Sequence, residues 1–303
     1  MTKREVPVRP VHWRQANVTF ADRGDAEHLA VARVGPVLRD AEGRGLISAW
    51  FFIRKEQWRF RWLPTSPTAA DTVLHALTGA GEGMSWSPSV CELEPVAFGG
   101  PAGMDAACAL FHADSHQLLR WLETGRALGR RETSILLCGA LLRGAGLDWF
   151  EQGDVWVRVS DLRPHRNAIP ADPERVQELL DAMHTLMAVD ARGLCNPAKG
   201  GPLAGYESWI SAFEKAGQTL AALNRHGQLE RGLRAVLAHH LIFHFNRAGL
   251  SGADQKTMAA LAVEVVFHSP RTPLERPTDK EAASPRVAPA SSAFGLRCGR
   301  DRT

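Results

Sequence analysis

The chain has 303 residues, 45% hydrophobic and 23% charged, the composition of a soluble globular protein with room for one large domain or two ordinary ones. Its formal charge of +3 equals the excess of seven Lys/Arg over four Asp/Glu from Ser269 onward, so the body is about neutral and direct nucleic-acid binding has little electrostatic support. Five cysteines (Cys91, Cys108, Cys138, Cys195, Cys298) with no C-x-x-C pair exclude a disulfide framework or a zinc knuckle, and no apolar run suits a signal peptide or a membrane span, which predicts a cytoplasmic protein.

Residues 1–44 read as a polar lead-in followed by a weakly helical Ala26–Leu38 stopped by Gly35-Pro36. From Leu46 the pattern becomes that of a β-hairpin. ISAWFFIR is rich in aromatic and β-branched residues, and in WRFRWL the aromatics Trp58, Phe60 and Trp62 alternate with Arg59 and Arg61. Period-two geometry puts the aromatics on one face and the arginines on the other, where they line either a solvated surface or the wall of a site. Thr68–Ala80 predicts a helix and Val90–Val96 a further strand. Next comes Phe98-Gly99-Gly100-Pro101, either a plain tight turn or a helix start whose unpaired N–H groups take an anion. Met104–His112 is helical, and Asp114-Ser115 predicts the N-cap of a second helix, HQLLRWLET.

The stretch Arg130–Arg158 begins as a helix apolar on most sides, with Arg131, Glu132 and Arg143 in or beside the apolar run. Those charges are either satisfied within a buried helix hairpin or turned to a cavity or partner. Gly144-Ala145-Gly146 ends that helix, and Asp148 caps the next, which carries Glu151, Asp154 and Arg158. A helix follows over Pro173–Val189, and then a Gly/Pro-rich loop, Gly193–Gly205, that reads as a lid, a boundary or a connection. Tyr206–Leu223 and Gln228–Arg247 are helical, the second bearing His239, His240, His244, Asn246 and Arg247. His240 and His244 share a face, but no Asp or Glu joins them in a zinc-ligand pattern, so no metal is expected there. A histidine near neutrality suits acid–base work, and equally a hydrogen-bonded place in a core. Ser251 caps a last helix, Gly252–His268, and from Ser269 the Pro/Ser/Ala/Arg-rich chain reads as a disordered tail.

Four stretches fall in order along the chain: Trp50–Trp62 (WFFIRKEQWRFRW), Phe98–Ser115 (FGGPAGMDAACALFHADS), Arg130–Arg158, and His239–Ser251 (HHLIFHFNRAGLS). Together they resemble the thiopeptide-type bacteriocin biosynthesis family, which is similar to the C-terminal, glutamate-eliminating domain of lantibiotic dehydratases. Two departures stand out: Ala97 where the family's glycine turn tends to be preceded by arginine, and a shortened hairpin turn. The elements predict an α+β fold, a single domain at 45–268 with a mixed or antiparallel sheet covered by helices and a helical C-terminal half. The resemblance implies a stand-alone lyase without cofactor that expels glutamate from glutamylated Ser or Thr of a ribosomally made precursor peptide. A separate glutamyl-tRNA-dependent dehydratase subunit would supply the glutamylated peptide, and the reading admits a homodimer. The resemblance assigns catalysis to His244, Arg61, Arg59 and Arg247, and substrate binding to Arg131, Gly99, Gly100 and Asp154. Two other roles share the fold: a cyclase joining two dehydroalanines into a pyridine, and a non-catalytic subunit that binds the precursor peptide.

Overall fold

The computed structural model describes residues 12–55, 57–124, 128–164, 169, 172–195, 203 and 205–268. Residues 1–11, most of the Gly/Pro-rich loop and the expected tail lie outside the described residues. The fold is α+β, and the chain divides into two compact units, one within Met1–Leu93 and Phe111–Gly125, the other within Glu94–Leu110 and Arg126–Thr303.

The first unit is built on an antiparallel sheet of four strands. Strand β1 (Arg14–Phe20) falls in the stretch expected as lead-in, yet it is an inner strand, because Ala16, Val18 and Phe20 alternate with polar residues and fill one face. Helix α1 (Ala26–Leu29) continues through a π-helical turn, Ala30–Val34, into α2 (Gly35–Gly43). Gly35-Pro36 therefore does not stop the helix. After the wider π turn, Pro36 occupies the first turn of α2, where its missing N–H costs little. The hairpin forms as its alternation predicts, with β2 (Ile47–Arg54) against β3 (Trp58–Pro64) and Trp50 opposite Trp62. Trp58 stacks on Phe52 with ring centroids 5.1 Å apart.

Ser66 caps α3 (Pro67–Thr78), and β4 (Met84–Ser89) follows at the sheet edge, beside β1 in the order β2-β3-β1-β4. The strand expected at Val90–Val96 lies instead one step earlier, around Trp86 and Pro88. An edge position tolerates that proline, and Val90 and Val96 are exposed. Helix α4 (Pro101–Thr124) is one helix of 24 residues, not the two expected. Asp114 and Ser115 are buried within it, in mid-helix, and do not open a second helix. Ser115 Oγ accepts the Phe52 N–H at 3.2 Å, and His112 Nδ1 lies 3.2 Å from the Trp50 nitrogen. These are backbone groups that β2, the other edge strand, turns away from β3, so α4 covers an edge that would otherwise invite pairing.

The second unit is helical. Helix α5 (Arg130–Gly144) is buried continuously from Thr133 to Leu142, as its apolar run predicts. Gly146 adopts φ +77°, and Asp148 opens α6 (Trp149–Asp161) with a capping box closed by Glu151. There follow α7 (Pro173–Ala188), α8 (Ala191–Leu194), α9 (Glu207–Arg225), α10 (Leu233–Ala248) and α11 (Gly252–Phe267), the last capped by Ser251. Helix α10 starts later than expected, at Leu233. No described helix is long and apolar enough to cross a membrane.

Helices α5 and α9 meet backbone to backbone. A Cβ on Gly217 would clash with the Leu141 carbonyl and stand 2.6 Å from the Ala145 nitrogen, and one on Gly144 would stand 2.9 Å from Glu214 Cα. Gly217→Ala must therefore push the helices away from each other, and a loss of about 2–3 kcal/mol in urea unfolding is expected. A change below about 0.5 kcal/mol, the scale of an ordinary surface substitution, would show that the helices separate freely.

Candidate functional site

Helix α10 carries three histidines in different surroundings. His244 is buried, with Nε2 3.0 Å from Ser134 Oγ of α5 and its ring 5.1 Å from that of Phe213 in α9. Arg247, three residues further on, lies on the same side of the helix and is also buried. His240 is a core residue. Its Nδ1 lies 2.9 Å from the Val236 carbonyl, which can only accept, so that nitrogen carries the proton. Burial, reinforced by Arg247 and His239 and opposed by the Val236 bond, holds the His240 pKa down to about 4.

His239 is half-buried, and its pKa is also lowered, mainly by burial and further by Arg231 and Arg163, against the opposing Ala235 carbonyl and Glu94. Arg231 donates to the Ala97 carbonyl at 3.2 Å. A guanidinium therefore stands beside the position where the family's arginine is missing. Sequence reasoning did not find it, because only the fold-back of residues 228–232 onto the Phe98 turn brings it there, through Glu230 N–H donating to the Gly99 carbonyl at 2.9 Å.

The glycine turn has a structural task. Gly99 and Gly100 adopt φ +82° and +93°, and their N–H groups donate to the Val96 and Pro95 carbonyls. A Cβ on Gly100 would stand 2.7 Å from Glu230 Oε1, so a carboxylate already sits against this turn. The expectation that these N–H groups take an anion does not fit this arrangement. Arg131 pairs with Asp254 at 2.6 Å, and Arg143 donates to the Met187 carbonyl at 2.9 Å. For these two charges the reading of satisfied partners holds. Asp154 is half-buried between Arg158 and Arg234, at 3.3 and 3.2 Å.

The remaining candidates, Arg59 and Arg61, belong to the sheet unit. Arg61 is only 6% exposed, so its face of β3 is not a solvated surface. Its Nε donates to Gln15 Oε1 at 2.7 Å, and its guanidinium lies 5.7 Å from the Phe51 ring centroid. Burial raises the pKa of Cys91, with the Arg61 charge opposing. Arg59, half-buried, is in register with Asn17 of β1.

The depressed pKa of His240 makes stability depend on pH. Below its ordinary value of 6.5 the unfolded chain takes up a proton that the folded chain refuses until about pH 4. Stability is thus full above pH 6.5 and falls between 6.5 and 4, by on the order of 3 kcal/mol. Urea unfolding at stepped pH should show this fall, and His240→Leu should flatten it. An equal slope in that variant would assign the acid sensitivity to other groups.

The family described as Lantibiotic biosynthesis dehydratase C-term matches residues 13–266. Among solved structures the chain is similar to the tRNA-dependent lantibiotic dehydratase MibB from Microbispora sp. 107891, at 18% identity and TM-score 0.62, over 88% of this chain and 29% of that one. It is similar to TbtD, the pyridine synthase from thiomuracin biosynthesis, at 13% identity and TM-score 0.60, over 84% of this chain and 97% of that one. For TsrL the figures are 14% identity and TM-score 0.54, over 84% and 94%. None of the curated proteins matches it. At these identities the likeness is one of fold, and the chain spans 29% of the length of MibB.

Proposed function

Because the chain belongs to the lantibiotic biosynthesis dehydratase C-terminal family, we propose that it removes glutamate from glutamylated Ser or Thr side chains of a ribosomally made precursor peptide. The products are dehydroalanine and dehydrobutyrine. The family match over residues 13–266 carries this reading, since it takes in both the arginine-bearing strand β3 and helix α10 with His244 and Arg247. A separate subunit that uses glutamyl-tRNA supplies the ester, and the chain itself binds no nucleic acid.

In the reaction a base takes the Cα proton, the electron pair forms the Cα=Cβ bond, and the Cβ–O bond breaks to release glutamate. The leaving carboxylate has a conjugate acid of pKa about 4, so it needs no strong general acid. The demanding steps are removal of a weakly acidic proton and stabilisation of the enolate-like oxygen, which call for a base near neutrality and fixed cations. We assign the base to His244, oriented by Ser134. Arg247, on the same helix as His244, supplies positive charge for the developing oxyanion, and the family resemblance gives Arg61 and Arg59 of the sheet unit a catalytic role as well. Arg131 and Asp154, each already ion-paired, serve the peptide more remotely.

A second reading is that the chain acts as a pyridine-forming cyclase on a multiply dehydrated peptide. The observation in its favour is a likeness of fold to the pyridine synthase TbtD, at TM-score 0.60, nearly equal to the 0.62 for MibB. Mass spectrometry of a glutamylated precursor peptide incubated with the protein distinguishes the two. Loss of a whole glutamic acid is the expected result. An unchanged ester, with a multiply dehydrated peptide then cyclised, would favour the second reading.

Folded His244→Ala should lose about 10²–10⁴-fold in glutamate release. Arg61→Lys and Arg247→Lys should lose about 10-fold or more, because lysine keeps the charge without the planar fork. His239→Ala is the informative comparison, since that histidine is the more exposed of the two and has Arg231 beside it. A larger loss there than in His244→Ala would move the base to His239.

A further inference from the structure

The sheet unit holds a second cluster, unrelated to the residues above. His112 and His116 stand four residues apart on α4 and so share one face. Glu42, from the last turn of α2, reaches both: its Oε1 is 3.3 Å from His112 Nε2 and its Oε2 is 3.0 Å from His116 Nε2. Among the described residues, these are the three His, Cys, Asp or Glu side chains that come close enough together to hold an ion, with all ligand atoms within 4.8 Å of one another. In a tetrahedral site with metal–ligand bonds of about 2.0–2.1 Å, neighbouring ligand atoms are about 3.3 Å apart. The His112–Glu42 spacing of 3.3 Å equals that edge and the His116–Glu42 spacing of 3.0 Å is slightly shorter, each to a different carboxylate oxygen.

The surroundings orient each ligand. His112 Nδ1 lies 3.0 Å from the Trp50 carbonyl and 3.2 Å from the Trp50 nitrogen; in the tautomer that donates from Nδ1 to the carbonyl, Nε2 is unprotonated and turned toward Glu42. Trp50 also donates its indole Nε1–H to Glu42 Oε2 at 3.2 Å and packs its ring 4.3 Å from that of His116. His116 Nε2 is buried and, although close to the carboxylate, makes no hydrogen bond of ordinary geometry. The side chains remain 26–29% exposed, which leaves a fourth coordination position open. Histidines His240 and His244 have the same spacing, but their ring nitrogens face the Val236 carbonyl and Ser134.

We propose that Glu42, His112 and His116 bind one divalent transition-metal ion of the zinc class, with solvent in the fourth position. Two imidazoles and one carboxylate suit Zn²⁺ and Co²⁺, whereas Mg²⁺ and Ca²⁺ prefer all-oxygen ligands. Bound there, the ion ties α2 and α4 to each other beside the edge strand β2.

Co²⁺ titrated into the metal-free full-length protein tests this through the visible absorption of four-coordinate cobalt. One equivalent should bind, Zn²⁺ should displace it, and Zn²⁺ should raise the Tm. Glu42→Gln and His116→Ala should each weaken binding about 100-fold or more, and Trp50→Phe, which removes only the indole donor to Glu42, about 10-fold. His240→Leu should leave cobalt binding unchanged. Circular dichroism confirms that each variant is folded. Absence of cobalt binding in the wild-type protein, or an affinity unmoved by both Glu42→Gln and His116→Ala, would overturn the proposal and leave two histidines packed on a carboxylate.

Discussion

The helical unit depends on the backbone contact of α5 with α9 at Gly144 and Gly217. No side chain fits between the two helices there, so α5 is enclosed by protein through ten consecutive residues, Thr133 to Leu142. Enclosure on that scale leaves the polar residues of α5 to find partners inside the protein, since a buried hydroxyl without one is costly. Ser134 finds His244, whereas the neighbouring Thr133 hydroxyl makes no hydrogen bond among the described residues. The same close approach that buries the helix thus fixes the orientation of the imidazole to which the base role is assigned.

The sheet unit meets a different constraint, an edge strand with outward backbone groups. Helix α4 answers it with side chains rather than another strand: Ser115 takes the Phe52 N–H, and His112 lies against both backbone groups of Trp50. This explains why a long helix carries a buried Ser115 in its middle, where such a residue is usually unfavourable. On the inner strands, Gln15 and Arg61 form a buried polar pair on the face opposite the aromatic core. A guanidinium held this way has lost much of its rotamer freedom before any ligand arrives, which is the condition for a fixed cation.

Elements whose signals are local were legible in the sequence. The alternation in WRFRWL sets the hairpin, Asp148 and Ser251 set helix starts, and the apolar run of α5 sets its burial. Three local signals misled. Gly35-Pro36 looks like a stop but follows a π turn, Asp114-Ser115 looks like a cap but lies in mid-helix with Ser115 on a strand edge, and Val90 and Val96 look like a strand but face solvent. At Ser115 a tertiary partner, the Phe52 N–H, outweighs a local preference worth about 1 kcal/mol or less.

By itself the sequence determined the α+β class, most of the helices and the residues that mark the family, because hydrophobic period and capping chemistry act over a few neighbours. Only the tertiary structure decided which polar residues are buried and what they touch. Ser134 meets His244 across 110 positions, Arg231 meets Ala97 across 134, and Glu42 meets His112 and His116 from another helix. No local rule encodes such contacts. They exist because chain segments far apart in sequence are packed until their polar groups must pair with one another instead of with water.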